Sequence, residues 1–115
     1  MNYFSTRDKS LKFNFKDIFL RGLAPDGGLF LPSKIKRYSQ NEIKDLSKLS
    51  YSELATEIIF NFCEKDIEKK KLKLLIEKAY DNFNYKEVVK LKKIGNINLL
   101  ELYHGPTLAF KDIAM

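Results

Sequence analysis

The sequence is poor in the residues that form disulfide scaffolds and metal centres. It has one cysteine, Cys63, one histidine, His104, and no tryptophan. A lone cysteine cannot form an internal disulfide, and chains without disulfides are typical of a reducing compartment. Zinc sites combine several Cys, His and carboxylate ligands, and one histidine cannot supply a histidine-based site. We therefore expect a cytoplasmic protein without a metal site.

Long hydrophobic runs are also absent. No stretch approaches the ~18 consecutive apolar residues of a membrane span. Residues 1–5 lack the basic-then-apolar order of a signal peptide, and we find no repeat or low-complexity tract. Hydrophobic residues make up 44% of the chain and charged residues 31%, which is ordinary for a globular protein. The composition predicts a soluble protein with no membrane partner.

The net charge of +6 leaves two interpretations open. A basic chain can bind nucleic acid, or it can carry lysines on a solvated surface. The lysines are spread among acidic residues, and the densest run, at 69–73, lies on a predicted helix with an apolar opposite face. Recognised nucleic-acid modules use arginine forks and aromatic stacking platforms, and no such module signature is present. We expect no nucleic-acid partner beyond weak contacts caused by charge alone.

Three short elements are predicted in the first part of the chain. They are an extended segment at residues 3–6, a helix at 14–21 and a buried strand at 29–31. Asn14 can cap the helix and Gly22 can end it. A turn at 24–28 precedes the strand, because proline, aspartate and glycine each favour turn geometry.

Three helices are predicted in the middle of the chain. Two of them begin at capping boxes, in which a serine precedes a glutamate by three residues, and Asp66 can cap the third. In the second helix an apolar stripe includes Cys63, which we therefore expect in the core. In the third helix the predicted buried face consists of Leu72, Leu75, Ile76, Ala79 and Phe83.

The pattern changes to strands near residue 88. Residues 88–94 and 97–103 are rich in strand formers, and Gly95-Asn96 between them is a favourable hairpin turn. Pro106 suits the first turn of a helix, so we predict a helix from 107 to 115. Because that helix has no cap or polar tail, we expect it to be the start of a second domain.

The segment 100–112 carries the strongest chemical signal. A strand, a Gly-Pro turn and a helix N-terminus place backbone N–H groups where an anion can bind. Lys111 follows Ala109 and Phe110, and a lysine in apolar surroundings is the amine that Schiff-base chemistry requires. The alternative is an ordinary surface lysine at a helix start, and the spacing alone favours that alternative.

Two segments of the sequence resemble a known protein family. Residues 104–112 resemble the cofactor-lysine segment of threonine synthases, and residues 3–7 with 22–32 resemble the opening of the long form of that family. The resemblance implies an α/β chain (an α+β fragment) with an N-terminal helical domain, short strands and a β-hairpin. These lead into a truncated pyridoxal-phosphate catalytic domain of the tryptophan-synthase-β type. We place the N-terminal domain at residues 1–95 and the start of the catalytic domain at 96–115.

The resemblance also implies a reaction and its residues. Threonine synthases convert O-phospho-L-homoserine and water into L-threonine and phosphate, in the last step of threonine biosynthesis. Lys111 would form the Schiff base with pyridoxal 5'-phosphate and move protons during the reaction. Thr107 and His104 are candidate substrate contacts, although each has a structural alternative, in helix capping for Thr107 and in a loop hydrogen bond for His104. We expect Asp112 to orient its neighbours and the turn around Asp26 to be structural.

The family's glycine-rich cup for the cofactor phosphate lies downstream of the lysine. We therefore expect residues 1–115 alone to be inactive, and to need the remainder of their own catalytic domain as a partner. Two other interpretations stay open. The chain could be a non-catalytic helical interaction module, or part of a threonine-synthase-like phospho-lyase with another substrate.

Overall fold

The structure, a computed structural model, describes residues 1–114 and has a mixed α/β architecture, as expected. Five helices and two antiparallel strand pairs account for its regular elements within those residues. The helices are α1 Phe15–Arg21, α2 Gln40–Leu46, α3 Tyr51–Cys63, α4 Lys69–Tyr80 and α5 Lys111–Ala114, and the strands are β1 Tyr3–Ser5, β2 Phe30–Pro32, β3 Lys90–Ile94 and β4 Ile97–Glu101. In the part of the chain that the structure describes, no helix is long and apolar enough to cross a bilayer.

Local side-chain caps start three of the helices. In each case the cap side chain accepts from a backbone N–H three residues on, and an acidic side chain accepts from the N–H of the cap residue. The pairs are Asn14–Asp17, Ser39–Glu42 and Ser50–Glu53. All three predicted starts are confirmed, and Gly22 ends α1 with a positive φ of 73°.

The predicted cap of the next helix is wrong. The residue at the N-cap of α4 is Glu68, and its side chain makes no capping hydrogen bond. Asp66 belongs instead to the turn that leaves α3, because its N–H bonds the carbonyl of Cys63 at 2.9 Å. The N–H of Ile67 bonds the same carbonyl at 3.0 Å. The chain therefore completes this turn before α4 begins.

The first strand pair is β1 and β2, with Phe4 opposite Leu31. Both predicted strands are present, and β2 is shifted by one residue from its predicted position. The prediction that the second strand is buried is wrong, because Leu29 is 60% and Leu31 44% exposed. Phe30 lies half-buried, with its ring centre 5.0 Å from that of Phe13. A two-stranded sheet leaves its outer side uncovered, which explains the exposure.

The turn between residues 24 and 28 is held by one carboxylate. Asp26 Oδ1 accepts hydrogen bonds from the hydroxyl of Ser5 and from the N–H of Gly28, each at 2.8 Å. These bonds, that of Gly28 first, keep the pKa of Asp26 below its usual value. Arg7 Nη1 donates to the Asp26 carbonyl at 2.9 Å. These contacts confirm the structural role expected of the turn.

The hairpin of β3 and β4 turns at Gly95-Asn96, as predicted, and Gly95 has a φ of 58°. The strands are shorter than the predicted spans, because β3 begins at Lys90 and β4 ends at Glu101. Val88 has a φ of 65°, which interrupts the extended conformation before β3. Apart from Glu101, every residue of the two strands is exposed.

The predicted helix at 107–115 begins later than expected. Residues 105–110 form turns, and α5 starts at Lys111. Leu108 has a positive φ of 60°, and its N–H bonds the carbonyl of Gly105 at 3.1 Å. This tight turn delays the helix. Met115 lies outside the described residues.

The core lies between α3 and α4. Cys63 is fully buried, as predicted, and Leu72 and Ile76 are each 6% exposed. Leu75, predicted to be buried, is 51% exposed, and Ala79 is exposed as well. Positions 72 and 76 are one turn apart on the face toward α3, whereas position 75 lies farther round the helix, about 100° from 76.

We expect Ile76→Ala to lower the free energy of unfolding by about 3 kcal/mol, because it leaves a cavity against α3. Leu75→Ala removes a side chain of the same size from an exposed position, and we expect a loss below about 1 kcal/mol. Urea denaturation of the two variants measures both values. Equal losses would show that α4 packs through the predicted face after all.

Candidate active site

The segment with the strongest chemical signal joins β4 to α5. After Glu101 the chain forms turns, with Gly105 buried and Thr107 exposed, and Lys111 is the first residue of α5. The N–H of Asp112 bonds the carbonyl of Ala109 at 3.1 Å, which closes the last turn before the helix. The arrangement is the strand, turn and helix start that the sequence predicts.

Asp112 holds the turn to the helix. Its two carboxylate oxygens accept from the N–H of Thr107 at 2.9 Å and from the Thr107 hydroxyl at 2.5 Å. The hydroxyl contact is the largest cause of a lowered pKa of Asp112, and partial burial opposes it. The expected orienting role of Asp112 is therefore confirmed. Both hydrogen-bond donors of Thr107 point to Asp112, so a ligand of Thr107 would have to compete for them.

Gly105 fits closely against the same carboxylate. A Cβ built on Gly105 would overlap the side chain of Asp112. A glycine is needed here because only its backbone can approach so closely. The peptide that follows His104 thus lies directly against the residue next to Lys111.

Lys111 is exposed, and none of the ion pairs within residues 1–114 involves it. Phe110 beside it is 62% exposed. The apolar surroundings that would favour a neutral amine are therefore not supplied by the neighbouring side chains. Cavities of about 390 and 290 Å³ are lined by residues between Lys36 and Lys73, and one of about 320 Å³ is lined by residues that include Tyr80 and Tyr85.

Two hydrogen bonds tie the segment to the residues around the end of α4. The Tyr80 hydroxyl donates to the carbonyl of Ile113 at 3.1 Å, and the N–H of Asn84 donates to the carbonyl of His104 at 2.8 Å. The ring of Tyr80 packs edge-on against Tyr51, with centres 4.9 Å apart. The position of α5 is therefore coupled to the helical core, and the sequence pattern gave no sign of this role for Tyr80.

Sequence reasoning also missed Glu101. His104 Nε2 lies 3.0 Å from Glu101 Oε2, and the Glu101 side chain is only 7% exposed. Burial acts to raise the pKa of Glu101, but hydrogen bonds from His104 and Tyr103 and the charge of Lys90 bring it below its usual value. An acidic residue at the end of an apolar strand was the available signal. No group of metal-binding side chains occurs in residues 1–114.

The geometry defines an α/β segment in which a strand and a tight turn lead to a lysine at the start of a helix. The family model described as the threonine synthase N terminus matches residues 2–80. Threonine synthase of Schizosaccharomyces pombe is 40% identical over 100% of this chain and 23% of its own length, and that of Pseudomonas aeruginosa is 41% identical over 100% and 25%. Human "threonine synthase-like 2" is 38% identical over 100% and 24%.

Solved structures agree with these relatives. Pyridoxal-phosphate-bound threonine synthase from Brucella melitensis matches with a TM-score of 0.93 and 38% identity, over 99% of this chain and 25% of that one. The yeast enzyme matches with a TM-score of 0.89 and 40% identity, over 98% and 24%. The chain belongs to the threonine synthase family. It spans about a quarter of the length of the relatives it matches.

Proposed function

We propose that the chain works as the first quarter of a threonine synthase, in the conversion of O-phospho-L-homoserine and water into L-threonine and phosphate. The observation that carries the proposal is a match to threonine synthases over the whole chain, including the segment with Lys111 at the start of α5. A relationship confined to the helical residues would not have included that lysine.

Lys111 is the residue that would hold pyridoxal 5'-phosphate. A threonine synthase with that cofactor bound is among the structural neighbours. The side chains fit in part, because an exposed primary amine at a fixed helix start can reach a ligand aldehyde. When bound, the cofactor supplies an electron sink for a carbanion at the substrate. The phosphate cup and the enclosing walls would come from the remainder of the catalytic domain.

The residues of this chain then have distinct tasks. The Lys111 Nζ atom moves protons to and from the substrate carbons once its amine is free. Asp112 and Thr107 fix the start of α5, so that the amine is presented from a rigid element. Substrate contacts of Thr107 and His104 stay predictions.

The hairpin indicates where the remaining catalytic domain would pack. Leu91, Ile97 and Leu100 are 66%, 70% and 52% exposed. An isolated two-stranded hairpin is marginal in water, and exposed apolar residues of this size favour an apolar partner surface. We place the N-terminal domain at residues 1–95 and the start of the catalytic domain at 96–115, and we propose that the complete protein is cytoplasmic.

A second candidate is a threonine-synthase-like phospho-lyase with another phosphorylated amino acid as substrate. The similarity of this chain to human "threonine synthase-like 2", at 38% identity, favours it. The two candidates differ in product: only a threonine synthase forms threonine from O-phospho-L-homoserine. Phosphate release without threonine, in a protein that joins this chain to its own downstream sequence, would identify the second candidate.

The proposal can be tested with a chimera in which residues 1–115 replace the matching first quarter of the Pseudomonas aeruginosa enzyme. We expect the chimera to form threonine and phosphate from O-phospho-L-homoserine, and residues 1–115 alone to form neither. With pyridoxal phosphate and borohydride, we expect the isolated chain to be labelled over many of its lysines, because no cup directs the cofactor to Lys111.

The unmodified Pseudomonas enzyme is the positive control. A folded chimera without activity would contradict the proposed function. Stoichiometric labelling of the isolated chain at Lys111 alone would contradict the need for the remaining domain.

A further inference from the structure

Glu101 is a buried carboxylate at the end of an otherwise exposed hairpin. Its side chain is 7% exposed, whereas the other residues of β3 and β4 face solvent. A buried ionised carboxylate is costly unless hydrogen bonds and opposite charge surround it. His104 supplies a hydrogen bond at 3.0 Å, and Lys90, directly opposite in the strand register, supplies the charge.

The imidazole of His104 is held by aromatic rings as well as by this carboxylate. Its ring centre lies 4.8 Å from that of Tyr103 and 5.3 Å from that of Tyr85. Lys90 Nζ lies 5.7 Å from the centre of the same Tyr85 ring. The His104 carbonyl is fixed by the N–H of Asn84. The ring and the backbone of His104 are thus both restrained.

The contact between Glu101 and His104 selects one form of the ring. An ionised carboxylate only accepts hydrogen bonds, so the nitrogen 3.0 Å from it must carry the proton. That nitrogen is Nε2. In the neutral ring Nδ1 is then the nitrogen with the lone pair, and it can accept a hydrogen bond or a proton from a ligand.

We propose that Glu101 is a positioning residue of the segment that carries Lys111: it fixes the ring of His104 with Nε2–H donated to its carboxylate, so that Nδ1 is the ring nitrogen left with the lone pair. The proposal rests on the proposed function only for the ligand that this nitrogen would serve, a phosphorylated amino acid. The link to Lys111 is the backbone after His104, which packs through Gly105 on the carboxylate of Asp112.

His104 is the single histidine of the chain, which makes its ring nitrogens an unambiguous probe. The full 115-residue chain, with ¹⁵N-labelled histidine, gives the tautomer directly from the two nitrogen chemical shifts at a pH where the ring is neutral. We expect the Nε2–H form to dominate and its proton to exchange slowly with water. A dominant Nδ1–H form would overturn the proposal without the use of any variant.

The variant Glu101→Gln replaces an obligatory acceptor with a side chain that can also donate. Because charge-assisted hydrogen bonds are about twice as strong as neutral ones, we expect the ratio of Nε2–H to Nδ1–H to fall roughly fivefold. Glu87→Gln is the matched control. Glu87 is an exposed glutamate between Tyr85 and Lys90 in the sequence, and its replacement should leave the ratio unchanged. A folded Glu101→Gln chain with the wild-type ratio would overturn the proposal.

Circular dichroism establishes whether the Glu101→Gln chain folds. If it does not fold, the tautomer measured in the wild-type chain is by itself the test of the proposal. A role in packing alone would not select one ring nitrogen. The measurement involves neither cofactor nor substrate. The two tests are therefore independent. A dominant Nδ1–H form would contradict the role of Glu101 but not that of Lys111, and an inactive chimera would contradict the proposed function but not the tautomer result.

Discussion

Lys111→Ala in the chimera is expected to lower the rate of threonine formation by at least about a thousandfold, because proton transfer by a positioned group alone contributes roughly 10²–10⁴-fold. The substitution also removes the amine that would hold the cofactor. Initial rates of phosphate release from O-phospho-L-homoserine measure the loss. The borohydride label of the chimera should disappear from the peptide that contains this position.

Lys16→Ala is the matched control for this loss. Lys16 is exposed on α1, outside the hairpin on which the remaining domain is proposed to pack, and its removal changes the net charge by the same amount. We expect the Lys16 variant to keep its activity within about twofold, as is usual for surface positions. If both variants were equally active, Lys111 would have no catalytic role. It would then be an ordinary surface lysine, which is consistent with its exposure.

Gly28→Ala is expected to lower the free energy of unfolding by about 3 kcal/mol, from overpacking and the loss of a buried hydrogen bond. A Cβ at this position would overlap the hydroxyl of Ser5 and lie 3.0 Å from Asp26 Oδ1 and Thr6 Oγ1. Ser5 is fully buried and cannot move aside without breaking its bond to Asp26. Urea or thermal denaturation of the 115-residue chain measures the change.

Gly22→Ala separates steric overlap from backbone strain. Gly22 has a φ of 73°, but a Cβ there would meet no atom within 4 Å. We expect a loss of about 1–3 kcal/mol, the cost to an L-residue of a sparsely populated conformation with positive φ. If Gly22→Ala were the more destabilising of the two, the contact between Gly28 and Ser5 would not be the tight one described.

The elements that depend on local chemistry could be predicted from the sequence. The capping boxes at Ser39 and Ser50 use side chains within three residues of each other, and the turn at Gly95 uses the backbone freedom of glycine. The cap predicted at Asp66 is wrong because Asp66 lies in the turn that leaves α3, and α4 begins two residues later than a cap at Asp66 would require. Two possible turns compete at this point, and no local rule ranks them.

The parts of the site that depend on tertiary contacts could not be predicted. Lys111 and Asp112 were recognised as neighbours in a motif. The role of Glu101 depends on burial beside His104 and on Lys90 across the hairpin, and that of Tyr80 on a contact 33 residues away in sequence. The apolar periodicity of α4 also predicts Leu75 in the core, where it is not found. The pattern shows which residues share a face of the helix, but it does not show how much of that face α3 covers.

The hairpin has two outer edges of unequal character. Strand β3 carries Lys90, Lys92 and Lys93 within five residues, and lysines on an edge oppose pairing with another strand. The only ionisable side chain of β4 is Glu101, which is buried against His104 and therefore does not guard its edge. Part of the excess of lysine thus protects one side of the hairpin from unwanted strand addition. The outer edge of β4 is therefore the edge at which a further strand can pair with the hairpin.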